Sequence, residues 1–241
     1  MNSFKKYLRL PSIVIFCFLI TLQNIPAQQR PVTFDYPSVM TPYDWQFSLG
    51  LAASSMPSDI VLESSVIRWP LIKFAAQMGL PANFVLDTRL STQLVTNHLE
   101  FGVRWVYEFS ENFHAHAELS LAYFFGQLKI SGFDTNINGW FSYPSLGIGY
   151  DFGEMTLSAI GAISYINSLS STSGDLETIF NISRLNGFYY RIALEQPFYK
   201  NTSIGLAFQM SYLRFYYPEW PLFPAIDRYF WIPELQLWIL L

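Results

Sequence analysis

Cysteine is nearly absent: 241 residues carry one, Cys17, near the N-terminus. That excludes a disulfide framework and thiolate chemistry from the rest of the chain. Basic charge is also scarce, with 14 Lys plus Arg against 18 Asp plus Glu and no basic run. Nucleic acid, which is gripped through phosphate contacts from clustered cations, is therefore not an expected partner. Long apolar runs are missing as well. Past Leu22 no stretch approaches the roughly 20 residues that a spanning helix needs. Gly-rich phosphate loops, nucleotide fingerprints and internal repeats do not occur either.

What is present begins with an export pattern. Lys5, Lys6 and Arg9 precede an apolar run from Ile13 to Leu22, and Pro26-Ala27 follows. Charged, apolar, then small is the order of a secretory signal peptide, so cleavage is expected near Ala27. Residues 28–241, about 210, then make one domain. Losing three basic residues leaves 11 against 18 acidic ones, a charge of −7. Half of the chain is hydrophobic and 18% is aromatic.

The stretch Leu99 to Phe125 sets the architecture. Leu99, Phe101, Val103, Trp105, Tyr107 and Phe109 alternate with Glu100, Gly102, Arg104, Val106 and Glu108. After Ser110-Glu111-Asn112, the residues Phe113, Ala115, Ala117, Leu119, Leu121, Tyr123 and Phe125 alternate with His114, His116, Glu118, Ser120, Ala122 and Phe124. Period two is the mark of β-strands, because successive side chains leave opposite faces of the pleat. An apolar face edged by aromatics beside a polar or small face fits a barrel with lipid outside and a polar interior.

The same alternation predicts ten strands in all, within a range of 8–12. They cover about 44–53, 61–76, 84–92, 99–109, 113–126, 140–150, 155–166, 187–196, 203–215 and 228–241. Residues 28–42 read as a short periplasmic lead, and Pro70 predicts a bulge or strand end. Connections after the second, fourth, sixth and eighth strands are short. Those at 131–139, 167–184 and 216–227 are long. Small inward residues such as Gly102, Gly126, Gly147, Gly149, Gly205 and Ala207 predict a filled or narrow lumen.

The final strand places Leu235, Leu237, Ile239 and Leu241 on one face at the chain terminus. With the export segment, this resembles bacterial outer-membrane β-barrel proteins, although the last residue is Leu241 and Trp238 is the nearby aromatic. The resemblance implies an all-β, up-and-down antiparallel transmembrane barrel in the outer membrane. Its expected partners are membrane lipid and the barrel assembly machinery, and it is expected to be a monomer without a cofactor.

His114, His116, Glu118 and Ser120 share one face of a strand. His-x-His-x-Glu spacing can ligate zinc or copper, and Ser with His can serve a lipid- or peptide-hydrolysing barrel. The preferred reading makes them polar lumen residues that satisfy one another: Arg104 opposite Glu118, and Glu108 opposite His114. Trp220 and Phe223, in a Pro- and aromatic-rich loop, are candidate outer-loop contacts. The function expected is structural or transport-related, with passage of a small apolar or amphipathic ligand. The alternatives are hydrolysis, and adhesion through outer loops.

Overall fold

The computed structural model describes residues 33–55, 70–93, 95–130, 133–173, 176–180, 184–199, 202–222 and 228–241. The strands are β1 (Trp45–Ser54), β2 (Leu71–Leu80), β3 (Phe84–Gln93), β4 (Thr96–Glu108), β5 (Phe113–Ile130), β6 (Phe133–Asp151), β7 (Thr156–Ser173), β8 (Leu176–Phe180), β9 (Arg184–Tyr199), β10 (Thr202–Leu213) and β11 (Phe230–Leu240). All pairings are antiparallel, between chain neighbours except that β7 also pairs with β9, and β1 closes on β11. β8 pairs with the upper end of β7, where β9 has stopped, so it is the detached top of the eighth barrel strand, whose lower part is β9. The ring therefore has ten strands.

The alternation decides which side each residue takes. Trp105 is 45% exposed and Val106 is fully buried. Phe47, Leu49, Phe74, Phe101, Leu119, Leu146, Ile148, Ile192, Phe208 and Ile239 all point outward. Such an exterior is costly in water and stable in hydrocarbon. A closed barrel also leaves no unpaired edge there.

Three expectations change. Within the turn-rich stretch 131–139, residues 133–139 are strand: β6 starts at Phe133 and pairs with β5 up to Ile130, and 131–132 lie outside those described. Asp134, Asn136 and Asn138 are exposed while Thr135, Ile137 and Gly139 are buried. The strand thus continues past the apolar belt, where outward polar side chains meet water. For the same reason the described parts of 167–184 are strand rather than open loop, with the upper end of β7 paired to β8. The second strand starts after Pro70 and runs to Leu80, later than expected; residues 61–69 lie outside those described. Pro70 offers no amide to a ladder, and the turn falls at 81–83, where Ala82 and Asn83 both have positive φ (60° and 62°).

The fold is consequently lopsided. β5, β6 and β7 have 18, 19 and 18 residues, whereas β1 to β3 have 10 each. About 9–11 residues of a tilted strand suffice to cross a bilayer. One wall therefore stands well clear of the membrane.

Candidate functional site

From Thr33 on, the lead expected as a simple periplasmic segment is instead a plug. Thr33, Phe34, Asp35, Tyr36 and Met40 are all buried inside the barrel. The segment has no strand ladder, so its backbone groups need other partners. Glu195 provides them. Its carboxylate accepts from the amides of Phe34 (2.7 Å), Asp35 (3.1 and 3.2 Å) and Tyr36 (2.9 Å), and from the Trp238 indole at 3.2 Å. The Phe34 carbonyl accepts from Arg104 Nη1 and Gln77 Nε2, both at 3.1 Å. Further down, Met40 packs with Val85 and Val106. No hydrophobic period marks this segment in the sequence. The signal that did exist is the inward glycines: Gly149 leaves the space that Tyr36 and Pro37 fill.

Above the plug lies a charged layer. Arg104 Nε donates to Glu118 Oε2 at 2.9 Å, and its Nη2 reaches Asp87 at 3.3 Å. Arg89 contacts Asp87 (2.9 Å), Glu100 (3.2 Å) and Glu118 (3.3 Å). Asp87 and Arg89 share the inward parity of β3, which the sequence displays, but only their packing with β4 and β5 makes them one network. Ser120 Oγ donates to Glu100 at 2.7 Å. Glu108 stands apart at the rim: it is half exposed and 3.7 Å from His114 Nε2, while His114 Nδ1 lies 2.9 Å from the Pro37 carbonyl.

His114, His116 and Glu118 do not converge. His114 serves the plug, Glu118 faces the two arginines, and His116 lies over Gly147 with neither ring nitrogen hydrogen-bonded among the described residues. No group of three His, Cys, Asp or Glu is arranged to hold a metal among the described residues.

Among the described residues a second plug fills the outer end of the barrel. Residues 214–222, including a 3₁₀ helix (Tyr217–Leu222), fold into the barrel. Phe215, Tyr216 and Trp220 are buried with Phe124, Ile137, Phe141, Leu169 and Ile232. Trp220 is thus not an outer contact: it is 5% exposed, and its ring occupies the space that Gly126 leaves. Burying an indole against an inward glycine gains more than presenting it to water. Phe223 lies outside the described residues.

Between the plugs remains a cavity of about 130 Å³. Phe141, Tyr143, Tyr217 and His98 make its aromatic side, with His98 stacked on Tyr217 at 4.2 Å and 3.1 Å from the Tyr143 hydroxyl. Its polar side includes Arg89, Glu100, Lys73, Glu234 and Arg191. Lys73 pairs with Glu234 at 2.8 Å, and Arg191 reaches Asp35 of the plug at 3.5 Å. The sequence reading did not single out these last four, because they come from four separate segments.

A closed antiparallel barrel, apolar outside and polar inside, defines the class: this is a bacterial outer-membrane β-barrel. No family model matches the chain, and no curated protein matches it. Among solved structures it is similar to Ail, the attachment invasion locus protein of Yersinia pestis, at 13% identity over 83% of this chain and 97% of that one, with a TM-score of 0.41. It is also similar to the KdgM porin in complex with disordered oligogalacturonate (11%, 81% and 97%, 0.39). The Pseudomonas putida toluene transporter TodX is a third (9%, 83% and 89%, 0.36). These likenesses concern the fold.

Proposed function

We propose that this barrel binds a small amphipathic ligand in the cavity between its plugs and passes it through the outer membrane, without forming an open pore. The observation that supports this is the cavity itself, with rings on one side and paired charges on the other. Ten strands leave room for side chains and one small ligand, whereas water-filled channels belong to barrels of about 16–18 strands. The reading is not enzymatic: Ser120 gives its hydroxyl to Glu100, and His116 is bonded to neither. It also takes residues 1–27 as the cleaved export segment, 28–241 as the barrel, lipid as the surroundings, and the assembly machinery as the route into them. The barrel works as a monomer without a cofactor.

In planar bilayers the protein is expected to give no large, stable, water-filled conductance steps. Saturable binding of radiolabelled benzenesulfonate, whose single ring and sulfonate match the two sides of the cavity, is expected to weaken in Arg191→Met. Large steps, or binding indifferent to that change, would refute the reading. The tall wall of β5 to β8 supports a second reading, adhesion to an external partner. Deleting residues 168–177 tests it, since the barrel should fold and partner attachment should be lost.

A further inference from the structure

The barrel wall is not evenly joined. β6 and β7 keep one register from Ser145↔Ala162 to Ser142↔Tyr165, yet among the described residues Tyr143 and Pro144 between them pair with nothing on β7. Pro144 has no amide hydrogen, and proline inside a sheet is confined to edges, strand starts and irregular places. Just above, Asn167 is left over as a bulge between Ile166 and Ser168 on the same ladder. On the other side of β7, Asn186 is left over between Leu185 and Gly187. Its side-chain amide turns instead to Ser164 Oγ and the Phe215 carbonyl, at 3.1 and 3.0 Å. One short stretch of β7 is thus irregularly held by both neighbours.

Two spaces flank β6 beside that stretch, and Leu119 of the outer one pairs with Pro144. On the inside, Tyr143, Ser164 and Asn186 line the cavity between the plugs. On the outside, a shallow apolar groove crosses the lipid face of β3 to β6 between Leu86, Phe101, Val103, Leu119 and Leu121, and ends at Ser142. Along the axis the cavity is flanked outward by the aromatic cluster around Phe141 and Trp220 and inward by the plug tied to Glu195. Parting a fully paired seam within the bilayer would strand backbone groups in hydrocarbon. At Tyr143 and Pro144 the backbone ladder to β7 already lapses, and a side-chain hydrogen bond between Tyr143 and Ser164 spans the gap.

We propose that the β6–β7 seam at Pro144 is a lateral portal, through which an apolar or amphipathic ring-bearing molecule moves between the bilayer and the cavity. This rests on the ligand-binding reading of the cavity. The test uses the full chain, with Cys17→Ser, in phosphatidylcholine vesicles. Pro144→Cys with Ile163→Cys sets two thiols opposite each other across the lapse. Opposed residues of an antiparallel pair lie about 4.5–5.5 Å apart at Cα, within disulfide range. Ile148→Cys with Ala159→Cys, paired lower on the same two strands, is the control lock. The probe is iodophenyl trifluoromethyl diazirine, an apolar aryl photolabel that dissolves in bilayers; labelled side chains are located by mass spectrometry.

Labelling of Tyr143, Tyr189 and Tyr217 is expected to fall several-fold when the Pro144 lock is oxidised and to recover on reduction. It should not change with the control lock, and labelling of lipid-facing Leu146 and Ile192 should not change with either. Pro144→Val, which restores the amide without a crosslink, should slow cavity labelling and covers the case where the double variant does not fold. Equal cavity labelling with the seam locked overturns the portal while leaving the cavity reading intact. Absence of cavity labelling in the unlocked protein overturns the cavity reading, and the portal with it.

Discussion

Glu195→Gln is the sharpest probe of the periplasmic plug. The glutamate holds three consecutive amides and one indole N–H on two oxygens. Glutamine keeps the size but replaces one acceptor oxygen with a donor and removes the charge. Whichever way it turns, at least one of the amides at 34–36 then faces an NH₂ group. A hydrogen bond to a charged group contributes about 1.5–3 kcal/mol, and leaving a buried donor unmatched costs about 1–3 kcal/mol. The two are not independent, so a combined loss of about 2–4 kcal/mol is expected. The damage should be local, because the plug contributes nothing to the barrel ladders. If the plug opens as its own unit, amide hydrogen exchange at 34–36 in micelles should speed up roughly 30- to 1000-fold. Exchange in β4 and β5 should stay unchanged. Equal acceleration across plug and strands would mean that the plug is part of the barrel's cooperative core. No acceleration at all would mean that the carboxylate does not hold the plug.

Glu118→Gln and Arg104→Met should each destabilise the folded barrel by about 1.5–3 kcal/mol, since each removes one charged hydrogen bond while Asp87 still holds Arg104 and Arg89 still holds Glu118. The double variant should cost less than the sum of the two, as read from a double-mutant cycle in urea with heat-modifiable gel mobility. Additivity would show that Asp87 and Arg89 carry the load instead. Gly205→Val sets a side chain where the Trp238 indole lies. It should weaken the barrel by about 1–3 kcal/mol, and Gly205→Val with Trp238→Leu should recover part of that loss. Failure to recover would show that the strain is in the backbone.

The parts of this structure that are visible in the sequence follow from period two. The facing of Arg104 to Glu118 comes from the tight turn after Phe109 and from the need to keep Trp105 and Tyr107 outward, since a one-residue slip would reverse every side chain. Asp87, Arg89 and Glu100 were equally readable as inward residues, but not as one cluster, because strand tilt decides which levels meet. The extension of β6 was hidden by Asp134, Asn136 and Asn138, which carry turn chemistry in composition but sit outward in a strand above the lipid. The buried alternation of Thr135, Ile137 and Gly139 beneath them was available. The plug at 33–40 had no period to read. Its partners are Gln77, Arg104, Glu195 and Trp238, on four strands far away in the chain. Trp220 was legible as an aromatic among prolines, but whether it faces out or in depended on Gly126, nearly a hundred residues earlier.

Those four strands bear on the order in which the molecule comes into being. Gln77 belongs to β2, Arg104 to β4, Glu195 to β9 and Trp238 to β11, and they surround Phe34 only once β1 and β11 have met. Before that meeting no pocket exists for the segment to enter. The residues synthesised ahead of every strand are therefore among the last to be placed. Until closure they trail as loose chain, and closing the ring is what gives them somewhere to go.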